Sequence, residues 1–406
     1  MINLELPNKL RLSRRLAHEA AENVLRPISR KYDLAEHEYP KELDTFTSAI
    51  EGMSEGGMAM AGATGDRKKS GDKPKKTSSG VKNGGNMAAV LNVMEMSWGD
   101  VALALSLPYQ GLGNSAIAAV ATEEQLERFG KVWASMAITE PSFGSDSAAV
   151  ATTAVEDGDD YIINGTKIFV TSGDRSDHVV VWATLDKSKG RAAIKSFVVP
   201  KSAEGLKVVR LEEKLGIRGS DTAQINFDNV RVPKENLLGS PDIDVKKSFA
   251  GAMATFDNTR PIVAAMALGV SKAALEALRE LLEKAGQKID YTAPVMNQSA
   301  AVADFIKLES DWESAYLLTL KAAWMADNGM PNNKEASMSK AKAGRTATAI
   351  TLKAVELSGA LGYSERTLVE KWTRDSKILD IFEGTQEIQR LVIARRVLGL
   401  SSKELK

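Results

Sequence analysis

The spacing of hydrophobic positions divides this chain of 406 residues into three parts. Residues 1–136 and 244–406 show apolar side chains every three to four positions, which is typical of amphipathic helices. Residues 137–243 show instead the alternation of half-buried strands. We therefore predict a multidomain α and β protein with an N-terminal helical domain, a middle antiparallel β domain and a C-terminal helical bundle.

Helical spacing is clearest at several places in the two outer parts. One short series comprises Leu10, Leu12, Leu16 and Ala20, and residues 87–107 form a longer apolar stretch. In the last part, helices are predicted over 299–327 and 334–357. Pro261 predicts the first turn of another helix. The backbone N–H groups of a first turn have no partner within the helix, so proline, which lacks an N–H, is well tolerated there.

The middle part contains several segments with strand character. They are 178–185, 194–199, 206–211 and the alternating Ala223, Ile225 and Phe227. Upstream, Asn164-Gly165 separates two short apolar segments, and an Asn-Gly pair in that setting predicts a two-residue hairpin turn.

Residues 61–86 interrupt the first helical part and are rich in Gly, Ser and Lys. They contain almost no apolar side chains that a fold could bury. We interpret them as a solvated, flexible loop. The alternative is a basic lid or docking patch for the phosphates of a ligand.

Composition narrows the functional classes. The chain has no cysteine, which excludes disulfides and thiolate catalysis, and its 3 histidines are far apart, so we expect no metal site. Basic and acidic residues both number 53, and the resulting net charge of zero argues against binding to nucleic acid or an anionic membrane. The longest apolar run, 262–270, is much shorter than the ~20 residues of a membrane span. With no recognisable secretory signal, we expect a cytoplasmic protein.

Residues 111–116 match the G-x-G-x-x-A form of a dinucleotide-binding fingerprint. The fingerprint requires a preceding strand and a surrounding βαβ unit. Leu107-Pro108-Tyr109 precedes it here, so we interpret it as a tight loop between helices.

Glu383 is the strongest candidate for a catalytic group. The apolar residues Ile381 and Phe382 precede it and Gly384 follows it, while Thr385 can cap the next helix. Burial at such a chain break raises the pKa of a carboxyl group, and a stronger base can then act on a weak carbon acid. The alternative is a carboxylate that is merely solvated or caps a helix.

Four segments resemble, in order, those of the flavin-dependent acyl-CoA dehydrogenases. Residues 377–390 resemble the segment of the catalytic glutamate. Residues 137–146, with Thr139-Glu140-Pro141 and Gly144-Ser145-Asp146, resemble a first flavin segment, and 167–173 a second. Residues 256–261 resemble the helix start on the CoA side.

The resemblance implies a fold and a reaction. FAD is expected between the β domain and the helical bundle. Glu383 would remove the α proton of an acyl-CoA thioester, flavin N5 would take the β hydride, and electrons would pass to an electron-transferring flavoprotein. The Glu383 backbone N–H and a flavin ribityl hydroxyl would bind the thioester oxygen. The alternatives are an acyl-CoA oxidase that uses oxygen and a non-catalytic subunit of a heteromeric family member.

The resemblance also assigns individual residues, for which turn chemistry, a helix-start Asp–Arg pair and simple core packing remain the alternatives. The FAD set is Ile138, Thr139, Gly144, Ser145, Phe169, Val170, Thr171, Gln298, Thr385 and Glu387. The acyl-CoA set is Ser145, Asp257, Arg260, Phe382 and Gly384.

The sequence departs from the family on the adenine side of FAD. Many members have an arginine after the long helix that reaches the FAD pyrophosphate of a neighbouring subunit, but residues 284–291 contain none. Glu356 stands where the family has glutamine. We therefore predict a heterotetramer in which a paralogous chain supplies the arginine. The alternative is a homo-oligomer in which Lys284 or Lys288 replaces it.

Overall fold

The computed structural model describes residues 6–53, 84–109, 111–243, 250–401 and 404, without the side chains of 49–53 and 250–258. Residues 61–83 of the predicted loop therefore lie outside the described residues. The last two residues of that loop, 85 and 86, already belong to a helix.

The N-terminal part is helical, as predicted. Helix α1 continues through a π-helical turn at Ala21–Leu25 into α2. Further along the chain, the Thr122 side chain caps α6 by accepting a hydrogen bond from the Gln125 N–H. The bounds are α1 Asn8–Ala20, α2 Arg26–Leu34, α3 Glu42–Met53, α4 Gly85–Leu105, α5 Leu112–Val120 and α6 Glu123–Phe129.

The middle part is a single sheet of seven strands in the order β1-β4-β2-β3-β7-β6, with β5 paired to β4. Its bounds are β1 Ala134–Ala137, β2 Thr153–Asp157, β3 Asp160–Thr171, β4 His178–Thr184, β5 Ile194–Pro200, β6 Leu206–Leu211 and β7 Thr222–Pro233. Most pairs are antiparallel, but β4 pairs in parallel with β1 and, at one position, with β2. Because β1 begins at Ala134, the sheet starts slightly before residue 137, the predicted start of the β domain.

The predicted hairpin at Asn164-Gly165 is wrong. Strand β3 runs straight through both residues, and the turn between β2 and β3 is at Gly158, where φ is 61°. A register shift between Ile163 and Gly165 absorbs the irregularity, and Thr152 packs so closely on Gly165 that a Cβ there would lie 2.4 Å from its hydroxyl. The Asn-Gly pair therefore marks a bulge inside a strand.

The C-terminal part is a bundle of long helices. The bounds are α7 Ala250–Lys284, α8 Ala300–Asp327, α9 Asn333–Ser358, α10 Val369–Ser376 and α11 Gln386–Leu398. The predicted helix start at Pro261 is wrong, because α7 begins at Ala250 and contains the proline in its interior. The cost of the lost backbone hydrogen bond is offset by packing, since Pro261 and the residues after it are largely buried.

One hydrophobic core joins the N-terminal helices to the C-terminal bundle. Leu91 and Met94 of α4 and Leu268 of α7 are all in it. Gly269 allows the close crossing of these two helices, since a Cβ there would lie 2.2 Å from the Met94 carbonyl oxygen. Gly85–Leu105 and Thr259–Lys284 are long and apolar enough to span a membrane, but 83% and 72% of their most apolar stretches are buried in the protein. Both are therefore core helices here.

A buried ion network connects the three parts. Lys371 of α10 donates to Asp100 of α4 at 2.7 Å and to Asp375 at 2.5 Å. The other oxygen of Asp375 accepts the backbone N–H of Ile217, in the segment between β6 and β7. The two neighbouring carboxylates raise the pKa of Lys371 in spite of its complete burial. The network therefore fixes the helical parts against the sheet.

Candidate active site

Glu383 lies in a tight turn between the 3-10 turn Lys377–Asp380 and helix α11. Its φ is 57° and that of Gly384 is 93°, so two consecutive residues adopt the left-handed conformation. For a residue other than glycine this conformation costs about 1–3 kcal/mol and persists only where surrounding contacts impose it. The turn is thus held by its environment.

Two buried side chains hold the carbonyl groups of the turn. Gln389 of α11 donates to the carbonyl oxygens of Glu383 and Gly384, both at 3.1 Å. Lys340 of α9 donates to the Gly384 carbonyl oxygen at 2.7 Å. A Cβ at position 384 would lie 2.5 Å from Gln389 Nε2. Gly384, which the sequence assigns to acyl-CoA, is therefore required by the turn itself.

The carboxyl group of Glu383 contacts helix α7, and Glu383 as a whole is partly buried. Thr259 donates its hydroxyl to Glu383 Oε2 at 2.8 Å. Burial raises the pKa of Glu383, whereas the Thr259 hydrogen bond and the positive charges of Arg260 and Lys340 oppose that rise. This direction is the one expected from the sequence, and a carboxylate with a raised pKa is a suitable general base.

The structure gives the other residues assigned to acyl-CoA different settings. Arg260 is only 3% exposed, and its Nη1 lies 3.5 Å from the Ser337 hydroxyl oxygen. Its positive charge lowers the pKa of Glu383, so its setting is the interior of the protein and not an outer surface. Phe382 packs partly buried against the helical core. The side chain of Asp257 lies outside the described residues.

The first flavin segment follows β1 and is joined to β3. The Ile168 N–H donates to the Thr139 carbonyl oxygen at 2.9 Å. Lys167, completely buried, donates to Glu140 at 2.8 Å and to the Ile138 carbonyl oxygen at 3.2 Å. The buried Glu140–Lys167 pair thus links the two segments that the sequence assigns to the flavin.

Strand β3 presents an aromatic ring next to this link. Phe169 lies at a register shift between Lys167 and Val170, its φ is 56°, and 60% of it is exposed. Thr171, two residues further along β3, is half-buried, and so is Thr139, whose carbonyl oxygen bonds the N–H of the neighbouring Ile168. The Val170 side chain, in contrast, is fully buried in the sheet core. An exposed aromatic face beside half-buried hydroxyls fits a flat ring with polar edges, as FAD has. The Val170 side chain is not available to such a ring.

Of the remaining residues assigned to FAD, Thr385 and Gln298 have local structural roles and the others are exposed. Thr385 caps α11 by accepting the Ile388 N–H at 3.4 Å, and Glu387 is exposed in the first turn of that helix. Gln298 donates to the Asp290 carbonyl oxygen and closes the loop before α8. Two further residues, Gly144 and Ser145, are in an exposed loop where a Cβ on the glycine would meet no atom within 4 Å.

The residues at the departures from the family are exposed. Glu356 carries an ion pair with Lys353 at 2.8 Å, and the Lys284 and Lys288 side chains are 75% and 85% exposed. Each lysine forms an ion pair, Lys284 with Glu280 at 3.5 Å and Lys288 with Asp290 at 3.4 Å, and neither lysine is buried. No group of three His, Asp or Glu residues among the described positions could hold a metal ion.

Sequence reasoning missed three residues that contact or hold Glu383. They are Thr259, Lys340 and Gln389. A lysine within the run of small residues 336–344 was the available signal for Lys340, since a charged side chain on a small, packed helix face needs a buried partner.

Comparisons with known proteins agree with the fold. The sequence profile of the acyl-CoA dehydrogenase middle domain matches residues 135–230, and that of the acyl-CoA dehydrogenase C-terminal domain matches residues 249–398. The chain belongs to the acyl-CoA dehydrogenase family. It is accordingly an oxidoreductase of a family that depends on FAD.

Individual relatives match over nearly the whole length. The short-chain specific acyl-CoA dehydrogenase of Clostridium acetobutylicum is 32% identical over 98% of this chain and 100% of its own. The 3-(aryl)acrylate reductase of Clostridium sporogenes is 34% identical over 95% and 98%. The structure of butyryl-CoA dehydrogenase from Megasphaera elsdenii superposes with a TM-score of 0.83 at 29% identity, over 98% and 100%. The predicted fold class is therefore confirmed.

Proposed function

We propose that this chain oxidises an acyl-CoA thioester between its α and β carbons to the trans-2-enoyl-CoA, with Glu383 as the base. The observation that carries the proposal is the Glu383 carboxyl group: it accepts a hydrogen bond from Thr259 of α7, its pKa is raised by burial, and a turn with two left-handed residues holds it. A carbon acid needs a base of this kind in a fixed position.

Glu383 and Thr259 have separate parts in the proposed reaction. The Glu383 carboxylate takes the proton from the α carbon, and the Thr259 hydroxyl keeps one carboxylate oxygen in place. The Glu383 backbone N–H is assigned to the thioester oxygen, where negative charge develops as the proton leaves. When bound, FAD supplies the acceptor for the hydride of the β carbon, because no side chain can accept a hydride.

The test replaces Glu383 by glutamine, which keeps the shape and removes the base. Turnover of acyl-CoA should fall by ~10²-fold or more, the usual size of a general-base effect, while FAD stays bound. The measurement is acyl-CoA oxidation with an artificial electron acceptor, across straight chains of increasing length to find the preferred substrate. Turnover near that of the unmodified protein would reject Glu383 as the base.

A second candidate is the reverse reaction, reduction of a 2-enoyl or acrylate double bond. It is favoured by the reductase among the relatives and by the raised pKa of Glu383, since a carboxyl group that keeps its proton can deliver it to the α carbon. Purified protein should be given acyl-CoA with an oxidant and, separately, enoyl-CoA with a reductant. The faster direction at physiological reactant concentrations identifies the function.

The proposal extends to partners. We place an electron-transferring flavoprotein as the electron acceptor and a paralogous chain as the donor of the arginine that residues 284–291 lack. A charge-assisted hydrogen bond to phosphate is worth roughly 1.5–3 kcal/mol, so its loss would weaken FAD binding by ten- to a hundred-fold. Expression of this chain alone and with paralogues, followed by measurement of FAD per chain, tests this. Full FAD occupancy in a homo-oligomer would refute the heteromer.

A further inference from the structure

Lys340 is a buried lysine that the proposed reaction does not use. It lies on α9, which packs against α7 and α11, and none of its surface is exposed. Burial of an ammonium group is costly unless the group is well compensated. A lysine held at this position therefore calls for a specific role.

The contact of Lys340 is with the turn of the base. Its Nζ donates to the Gly384 carbonyl oxygen at 2.7 Å, and Gln389 donates to the same oxygen at 3.1 Å. Both lone pairs of that carbonyl are thereby engaged, which prevents the peptide plane after the left-handed pair from rotating. Donors on α9 and α11 thus hold the backbone of the turn, whereas Thr259 of α7 holds the Glu383 carboxylate.

The charge of Lys340 also acts on the base. The pKa of Lys340 is lowered to about 8, and burial is the largest cause. The positive charge of Arg260 also lowers this pKa, whereas the negative charges of Asp380, Glu383 and Glu387 partly oppose the decrease. In return, Lys340 is one of the groups that lower the pKa of Glu383. These charges come from α7, α11 and the turn before Glu383.

We propose that Lys340 is a positioning residue for the base: it holds the Gly384 carbonyl so that the turn presents Glu383, and its positive charge stabilises the ionised Glu383 carboxylate. This inference rests on the proposed function of Glu383. Lys340 is then a second positive charge, besides Arg260, that lowers the pKa of Glu383. Removal of Lys340 should change this pKa although its side chain does not contact the reacting carbons.

Two replacements separate the two roles. Lys340→Met removes both the charge and the donor at similar length, and Lys340→Gln removes the charge but keeps a donor. The matched control is Lys342→Met, on the same helix, where the lysine is paired with Asp311 at 2.5 Å and its side chain is 33% exposed. A fourth variant, Gln389→Met, removes the other donor to the carbonyl without changing any charge.

The readout is an infrared pH titration of the Glu383 carboxyl band, identified by its loss in Glu383→Gln, together with the pH profile of kcat. Lys340→Met and Lys340→Gln should each raise the pKa of Glu383 by about one unit or more, the usual effect of removing a nearby opposite charge. Turnover at neutral pH should fall about ten-fold or more in Lys340→Met and less in Lys340→Gln. Gln389→Met should lower kcat with an unchanged titration, and Lys342→Met should change neither.

An unchanged Glu383 titration and unchanged kcat in folded, FAD-loaded Lys340→Met would overturn the inference. Should that variant fail to fold, Lys340→Gln decides, because an unchanged titration there removes the proposed charge role. Failure of the proposed function has a different signature, namely that Glu383→Gln remains active. The infrared titration does not depend on which reaction the protein catalyses.

Discussion

Replacement of Gly384 by alanine should damage both stability and turnover, because two separate costs meet at this residue. The φ of 93° costs a residue with a Cβ about 1–2 kcal/mol. The new methyl group would also lie 2.5 Å from Gln389 Nε2 and displace it from the two carbonyl oxygens it bonds. Each lost hydrogen bond contributes about 1 kcal/mol, so the total is about 3–4 kcal/mol.

The chain offers a matched control for the first cost. Gly399 ends the helix that follows Gly384, its φ is 69°, and a Cβ there would meet no atom within 4 Å. Gly399→Ala should therefore lose only the backbone cost of about 1–2 kcal/mol. Melting temperature and denaturant unfolding, measured at one FAD and protein concentration, compare the two variants directly.

Turnover discriminates more sharply than stability. Displacement of Gln389 frees the Glu383 carbonyl, and a base misplaced by about 1 Å can cost 10²-fold in rate. Gly384→Ala should lower kcat strongly, while Gly399→Ala should not. In the double variant Gly384→Ala/Gln389→Ala the losses should be less than additive, because the colliding amide is gone. Equal stability loss in the two glycine variants, with normal kcat in both, would refute the reasoning.

Three further outcomes are expected. Lys371→Met leaves two buried carboxylates without their cation and should destabilise the fold by about 3–5 kcal/mol in denaturant unfolding, whereas Lys284→Met, whose side chain is 75% exposed, should change it little. In the oxidation direction kcat should rise with pH through an apparent pKa above the usual 4.5 of glutamate, because only the ionised Glu383 accepts a proton; a flat profile down to pH 4.5 contradicts this. Phe169→Ala should lower FAD content per chain without lowering the melting temperature of the FAD-free protein. Tyr363→Ala, at a residue that is 86% exposed against 60% for Phe169, should change neither quantity.

The parts of the fold that follow from local pattern could be predicted. Helices α8 and α9 and strands β4 to β6 lie within a few residues of their predicted bounds, and β7 contains the predicted alternating residues, because apolar periodicity is a property of consecutive residues. The predictions at Pro261 and Asn164-Gly165 failed for one reason. Each rested on the local preference of one or two residues, and burial of the surrounding segment outweighed that preference.

The order of helices and strands, the family and the candidate base could all be predicted from contiguous residues, since apolar residues directly precede Glu383 and a glycine directly follows it. The contacts around that base could not be predicted in this way. Thr259 precedes Glu383 by 124 residues, and Lys340 precedes Gly384 by 44. Such contacts depend on how α7, α9 and α11 pack, and no periodicity within one helix specifies which residue of another it will face.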